Sequence, residues 1–583
     1  MIAAVAGAIF ALVDTVAVVA ILPLVSLVTG MTPDESGVGW AYEWVGRPPV
    51  DTFVAIFALL IILTFIVKDL ASLWFSWWLS GIIARQRLTT SVSMMRRYLS
   101  QSVPAFGSRG TAEMIRTAND AVSQLFNQLV AGILQVTTAG FTIIAIVIAL
   151  IVVSPLATLG IIVLFVAVIA AYSAFARPRV LNAGRKQSRA NEQAYIAALH
   201  GFGAFKEIRL RNTTEHFVSG YQRAIADAVR AGRVAGFFGG APKYLLEIAF
   251  IIAIGALVVF QSLVGGDTGI VGLLALFVAA GFRLLPNVSA ALAGFNSIRF
   301  GAESLRIVHG ERAVLPQPSV APASGEQTKM PLAHAIELAD VTYTYPGAAA
   351  PAVRGVSFRI ERGSSIAIVG ASGGGKTTLA DIVLGLIAPE GGRVLVDGID
   401  VQDDVVAWQQ STAMVAQDVY LTGWTVADNI VFDEPRSDYD HARIEEVIRL
   451  AQLEDVVEAL PDGVNTMLGE RGGRLSGGQR QRVGIARALY RNPALIVFDE
   501  ATSALDNDTE RRITTAVEGL HGEITVLIIA HRLSTVRNAD QIVFLDAGRV
   551  SAIGTFDELL VTSPGFAHLV ALGDLSAGSK DDS

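Results

Sequence analysis

The sequence predicts a two-part chain: a six-helix α-helical transmembrane domain with long cytoplasmic helical extensions, then an α/β phosphate-loop (P-loop) domain. Three observations predict it. Of 583 residues, 52% are hydrophobic and 17% charged, with a mean hydropathy of +0.50, too apolar for a chain soluble throughout. Residues 1–310 carry a net charge of +8 and residues 311–583 a net −16, so two different proteins are fused in one chain. A single G-x-x-x-x-G-K-[ST] motif stands in the acidic half. The basic half fits a membrane region, because positive charge gathers on cytoplasmic loops. The acidic half argues against a nucleic-acid partner. Cysteine is absent, which excludes disulfide scaffolds, thiolate metal sites and cysteine nucleophiles.

Apolar stretches near 2–30, 51–81, 126–153, 156–176, 245–264 and 268–295 each approach the ~20 residues that cross a bilayer. Met1 opens directly on the first of them, with no charged leader and no small-residue cleavage site, so it reads as a span entered abruptly, its natural start expected upstream. Three connections are short or acidic: 31–50 with Asp34, Glu35 and Glu43, the Ser154-Pro155 turn, and 264–268. These are expected outside. The other two are long and basic, and residues 177–243 hold twelve Lys/Arg against four acids. Positive-inside bias puts them in the cytoplasm, and apolar spacing continuing through 190–205 extends the helices beyond the membrane.

Residues 311–334 carry Pro316, Pro318, Pro322 and Pro331 without apolar periodicity and read as a linker. From Ala335, short strands alternate with helical stretches, the pattern of an α/β sheet. The domain is expected over 335–573, with a flexible tail at 574–583. Gly370-Ala371-Ser372-Gly373-Gly374-Gly375-Lys376-Thr377 follows the strand Ile366 to Val369 and opens a helix. Its backbone N–H groups would close round phosphate oxygens, with Ser372, Gly373, Gly374 and Gly375 in the loop and Thr378 in the first turn. Lys376 would reach the β- and γ-phosphates and Thr377 would hold Mg²⁺. A glycine-rich turn without ligand is the bland alternative. The continuous apolar run 494–498 reads as a strand buried on both faces, ending in Asp499-Glu500. There Asp499 would complete the Mg²⁺ shell and Glu500 polarise the attacking water.

Between these motifs stands Leu475-Ser476-Gly477-Gly478-Gln479, and with it the chain resembles the ATP-binding-cassette (ABC) transporters, whose signature this is. The remaining family motifs appear in order. Tyr345 resembles the adenine-stacking tyrosine, Gln417 the Q-loop glutamine, and Glu470 the exporter X-loop acid. Asp506, in Ser503-Ala504-Leu505-Asp506, resembles the D-loop, and His531 the switch histidine. The resemblance covers the whole chain and implies an exporter half-transporter: six spans joined to an ABC ATPase with a helical subdomain. It implies ATP and Mg²⁺ as cofactors, with Thr377, Gln417 and Asp499 around the metal and Glu500, His531 and Gln417 catalytic. It also implies a second half-transporter chain, a homodimer being favoured and a heterodimer left open, whose signature closes over the first chain's ATP. Pro104 and Phe106, and Glu215 and Phe217, fall where the family places its coupling helices. A cell-membrane location with the ATPase in the cytoplasm follows.

For the cargo, Ala280 to Pro286, Pro242 to Glu247 and Phe205 to Ile208 resemble the lipid-linked oligosaccharide flippase branch. That favours an amphipathic, polar-headed lipid. Arg283 lies deep in its span, where a lone charge costs at least ~2.5–3.5 kcal/mol. It would face a pyrophosphate in a wet cavity with Glu247 nearby, pair with Glu247 or Asp14, or cap a helix broken at Pro286. Lys68 and Asp69 read as snorkelling, and Trp74, Trp77 and Trp78 as an interfacial belt. A multidrug, peptide or lipid exporter, an exporter-fold siderophore importer, and a non-transporting regulatory ATPase remain the other readings.

Overall fold

The computed structural model describes residues 2–29, 31–264, 270–316, 329–432, 436–499, 519, 522–530 and 536–578. The chain divides into two compact units, residues 1–101 with 106–319 and residues 320–583 with 102–105.

The helical half comprises α1 (Ile2–Val19), α2 (Ile21–Val28), α3 (Gly39–Trp44), α4 (Val50–Leu99), α5 (Val103–Gly107), α6 (Thr111–Arg116), α7 (Val122–Gln124), α8 (Ala131–Val153), α9 (Pro155–Gly203), α10 (Phe205–Arg211), α11 (Thr214–Val264) and α12 (Ile270–Val314). Two π-helical turns, Thr117–Ala121 and Leu125–Val130, join α6, α7 and α8 into one rod. Among the described residues six stretches are long and apolar enough to cross a membrane. At 50, 49 and 51 residues, α4, α9 and α11 are more than twice the length a span needs. The helices therefore continue past the bilayer as the apolar spacing required.

Local chemistry sets the breaks. Pro155 at the first position starts α9, and at the end of α8 the Leu150 carbonyl accepts both the Ser154 N–H at 2.8 Å and the Thr158 Oγ1 hydroxyl at 3.0 Å. Asn212 closes α10 in the left-handed conformation, φ 52°. Pro242 inside α11 has no N–H for the carbonyl of Phe238 four residues earlier. Tyr172 Oη on α9 and Asn296 Nδ2 on α12, the latter at 3.0 Å, donate to that carbonyl instead. Pro242 thus creates a polar junction of three helices. Elsewhere α8 and α12 touch backbone to backbone: a Cβ on Gly132 would stand 2.9 Å from the Gly294 carbonyl, so only glycine fits.

Three boundaries differ from the sequence reading. α12 runs to Val314, past position 310, because Val308 and Leu315 pack into a cluster with Met94, Tyr98, Met114 and Val122. The last helix, Pro564–Gly578, enters the stretch expected as a tail. Glu215 and Phe217 lie in the first turn of α11, and the short helix between the two long ones is α10, a few residues earlier.

Lys68 does not snorkel. It is buried, and its Nζ lies 2.7 Å from Asp14 on α1 and 2.7 Å from Asp69. Burial leaves a partner carboxylate as the cheaper solvent for the ammonium. Trp74 and Trp77 are exposed on α4, as an outward-facing belt requires.

The second unit holds two sheets. β1 (Ala335–Tyr343), β2 (Val353–Glu361), β4 (Gly391–Val396) and β5 (Ile399–Asp400) form an antiparallel sheet in the order β2-β1-β4-β5. The other sheet has the order β10-β9-β3-β8-β7-β6. It comprises β3 (Ser365–Gly370), β6 (Thr412–Val415), β7 (Leu495–Asp499), β8 (Thr525–Ile529), β9 (Gln541–Asp546) and β10 (Arg549–Gly554), parallel except for the β9–β10 hairpin. The helices used below are α13 (Lys376–Val383), α14 (Val405–Gln410), α15 (Val426–Val431), α16 (His441–Leu450), α17 (Glu454–Glu458) and α18 (Gly477–Tyr490).

Candidate functional site

The P-loop connects β3 to α13 with the geometry that the motif predicts. Gly375 stands at φ +92° as the N-cap of α13, a conformation glycine adopts freely, and a Cβ there would meet the Ala352 carbonyl at 2.3 Å. Gly370, Ala371, Ser372, Gly373 and Gly374 thereby turn the backbone toward the N-terminus of the helix. Lys376 is buried, its Nζ donating to the carbonyls of Gly370 at 2.9 Å and Ala371 at 3.1 Å. Those contacts hold the ammonium inside the phosphate cradle. Thr377 is exposed and Thr378 buried, and the Oγ1 of Thr378 lies 3.1 Å from Tyr345 Oη. Tyr345 therefore stands beside the first turn of α13, half-exposed, with Tyr343 edge-on at 5.2 Å.

Asp499 ends β7, and Gln417 is exposed two residues after β6, which pairs with β7. Asp381, a residue the motifs did not single out, lies buried on α13. Burial, and behind it the charge of Asp499, pushes its carboxyl up to about 6. Asp381 thus stands near enough to the carboxylate that ends β7 for its charge to be felt. Its only sequence signal was an aspartate inside the apolar run after the P-loop, which pattern alone reads as an exposed helix position. Glu500, Ser503 to Asp506 and His531 lie outside the described residues.

Ser476 caps α18. Its Oγ accepts from the Gln479 N–H at 3.2 Å, while Gln479 Oε1 accepts from the Ser476 N–H at 2.8 Å, a reciprocal capping box. Leu475 is buried and anchors the turn, whereas Ser476 and Gly477 are exposed, with Gly478 buried behind them. A 14-residue helix thus offers its positive end to the outside. Glu470 is exposed in the turn before it. Arg487, on the same helix, ties this subdomain to the segment after the Q-loop: its Nε donates to Asn429 O at 2.7 Å and its NH1 to Tyr420 O at 3.0 Å. Burial lowers that guanidinium to about 10.

The P-loop turn and the signature turn belong to opposite faces of one sheet. Along β7, Leu495 and Val497 enter the core that contains Leu379, Ile382 and Val383 of α13. The alternate residues Ile496 and Phe498 enter the core that contains Val483, Ile485, Ala486 and Leu489 of α18. One chain therefore holds its P-loop helix and its signature helix on either side of a sheet.

In the helical half, Arg283 NH1 lies 3.7 Å from Asp14 Oδ1, and its guanidinium sits 4.8 Å above the Phe65 ring. Of the expected partners, Asp14 is the one at ion-pair distance. Glu247 is half-buried on α11. Pro104 and Phe106 lie in α5, Phe106 exposed.

Fold and site together define a class: a multi-pass membrane domain fused to a P-loop nucleotide-binding domain. The comparisons narrow it. Residues 8–280 match the ABC transporter transmembrane region and residues 353–503 the ABC transporter family. An ATP-dependent lipid A-core flippase of Cupriavidus metallidurans is 34% identical over 514 residues, 85% of this chain and 83% of that protein. One from Burkholderia orbicola is 34% identical over 391 residues, 66% of this chain, and the match spans 64% of that relative's length. A bacterial Atm1-family ABC exporter with ATP bound shares the fold, with a TM-score of 0.76 at 22% identity and 97% of each chain covered. The chain belongs to the ABC transporter family. It is a multi-pass membrane protein with a cytoplasmic ATPase domain, and that domain binds ATP.

Proposed function

We propose that two copies of this chain form an ATP-driven translocase that moves a polar-headed lipid across the cell membrane. The observation that carries the reading is the placement of the P-loop helix and the signature helix on opposite faces of one sheet. A chain so built supplies half of each of two sites and completes neither alone. ATP would lie on the P-loop of one copy, its adenine against Tyr345 and its phosphates held by backbone N–H groups of 371–377 and by Lys376. The signature of the second copy, Ser476 to Gly478, would donate to the γ-phosphate from the other side, with Leu475 and Gln479 fixing that turn. Glu500 takes a proton from water as the water oxygen attacks the γ-phosphorus and the bond to the β-phosphate oxygen breaks; His531 and Gln417 orient the reacting groups and Asp506 contacts the second copy. Thr377, Asp499 and Gln417 would hold Mg²⁺, which supplies positive charge to the β- and γ-oxygens when bound. Closure on ATP and parting after hydrolysis would rock the long helices through the segments around Pro104, Phe106, Glu215 and Phe217, with Glu470 beside the signature coupling the two.

The cargo we favour is a phosphate-bearing glycolipid, the chemistry common to lipid-linked oligosaccharides and to the lipid A-core named for the relatives. The Asp14–Arg283 contact favours a second reading, in which Arg283 pins α12 to α1 and the same machine carries an uncharged or hydrophobic cargo. Purified protein in proteoliposomes, given ATP and a panel of phospho-glycolipids, drugs and peptides, tests both. Stimulated hydrolysis with translocation of a phospho-glycolipid, lost in Arg283→Ala, supports the first; intact transport in that variant supports the second. Glu500→Gln keeps ATP binding and abolishes turnover, and normal hydrolysis there removes Glu500 from the mechanism.

A further inference from the structure

The C-terminal end of α12 is held by the residues that flank α5. The last carbonyls of a helix have no partner inside it, and a cation placed there also meets the negative end of the helix dipole. Arg97, in the last turn of α4, is 8% exposed and directs its NH1 to three carbonyls at that end: Leu315 at 3.1 Å, Arg312 at 3.4 Å and Pro316 at 3.4 Å. The next residue, Tyr98, donates its hydroxyl to Glu311 Oε2 at 3.3 Å. Arg109, two residues beyond α5, makes an ion pair with the same Glu311 oxygen. Beneath these polar contacts Tyr98 and Met94 pack with Val308 and Leu315. The chain is therefore fastened to one turn of α12 both before and after α5.

Resting on the transport reading above, we propose that Arg97, Tyr98, Arg109 and Glu311 are positioning residues that make α5 and the end of α12 one lever, so that displacement of either moves both. Exposed ion pairs hold little, about 0–1 kcal/mol. Here the carboxylate is shared by two donors, both members of the Arg109–Glu311 pair are less than a quarter exposed, and Arg97 is buried on main-chain acceptors that have no rotamers of their own. α5 is the turn between two long rods, α4 and the rod of α6 to α8, and the clasp closes on the last turn of a third, α12. Motion at the one would reach the other in a single step.

The experiment uses the full-length dimer in proteoliposomes with ATP and a phospho-glycolipid. Glu311→Arg sets a like charge against Arg109, and Glu311→Arg with Arg109→Glu restores the pair in reverse. The single variant should keep hydrolysis in the absence of cargo near the wild-type rate, while lipid moved per ATP falls about 5- to 150-fold, the range of a coupling between sites. The double variant should recover most of that ratio. Wild-type coupling in the single variant, or a loss that the double variant does not repair, overturns the proposal. A second readout needs no cargo. Because the sequence has no cysteine, Gly107→Cys with Val314→Cys, both exposed positions, takes two nitroxide labels without background. With doubly labelled chains diluted into unlabelled ones, so that the distance read lies within one chain, one unchanged distance in nucleotide-free protein and in the ATP-trapped Glu500→Gln background is the expected result. A change in that distance on ATP binding overturns the lever. Failure of the wild type to move any lipid rejects the transport reading instead, and leaves the distance measurement to decide the clasp.

Discussion

The junction at Pro242 allows a test in which the cost of a mutation depends on a third residue. Tyr172 and Asn296 both donate to the Phe238 carbonyl, which Pro242 leaves without a helical partner. Asn296 Nδ2 also lies 2.9 Å from Tyr172 Oη, so the two donors support each other. Tyr172→Phe leaves Asn296 on the carbonyl, and Asn296→Ala leaves Tyr172, so each single variant loses about 0.5–1.5 kcal/mol. The double variant orphans a buried carbonyl and should cost a further ~1–3 kcal/mol beyond the sum of the singles. At about 2–4 °C per kcal/mol for a domain of this size, the excess is roughly 2–12 °C in Tm. Pro242→Ala gives position 242 an N–H that can serve Phe238 within the helix. In that background the excess should vanish, although the individual losses remain. The assay is thermal unfolding of the full chain in nanodiscs for the eight variants of the cycle. An additive double variant, or an excess of equal size with and without Pro242, refutes the assignment of that carbonyl as the shared partner.

Three further outcomes follow from other contacts. Ser476→Ala removes the N-cap of α18 at about 1 kcal/mol, seen as a small drop in Tm, yet on the proposed reading should reduce ATP hydrolysis far more than that loss of stability explains, because the same turn would meet the ATP of a second chain. Asp428 lies buried in the capping box of α15; burial alone would raise its carboxyl, but Arg436, the side chain and backbone of Thr425, and Tyr439 hold it well below the usual carboxylate range. Its stabilisation is therefore complete above the unfolded value of about 3.9 and lost only as pH falls through the lower folded value, so the Tm gap between wild type and Asp428→Asn should stay flat from pH 8 to pH 5 and close in stronger acid. Within the membrane, Asp14 answers both Lys68 and Arg283, while Lys68 keeps Asp69 as well. Breaking a buried pair costs about 3–5 kcal/mol, and Asp14→Asn, which leaves two cations facing an amide, should unfold at a lower temperature than Lys68→Met.

How much of this was legible in the sequence follows from which residues carry local information. The P-loop, the signature and the strand before Asp499 are contiguous patterns whose spacing already dictates a turn at a helix N-terminus, and the structure places Gly370 to Thr377 and Ser476 to Gln479 in such turns. Apolar run length likewise dictated six spans. What stayed hidden depends on which helices become neighbours. Lys68 beside Asp69 near an inner boundary reads as a snorkelling pair until α1 brings Asp14 to 2.7 Å. Asp381 reads as solvated until β7 sets Asp499 beside it and burial raises it. The two π-helical turns between α6 and α8 leave no mark in composition, because an inserted residue shifts the register without changing hydropathy.

The signature pentapeptide sits between these cases. Its capping chemistry is local, and Ser476 and Gln479 satisfy each other within four residues. Its functional meaning is not, because nothing in Leu475 to Gln479 says which phosphate the exposed end of α18 would meet. That is decided by β7, a strand with no polar residue before Asp499, whose even and odd side chains enter separate cores. An apolar run that sequence analysis reads only as a buried strand is the element that keeps the P-loop helix and the signature helix of one chain apart. On the proposed reading, the need for a second chain is therefore written in the alternation of Leu495, Ile496, Val497 and Phe498 rather than in either glycine-rich motif.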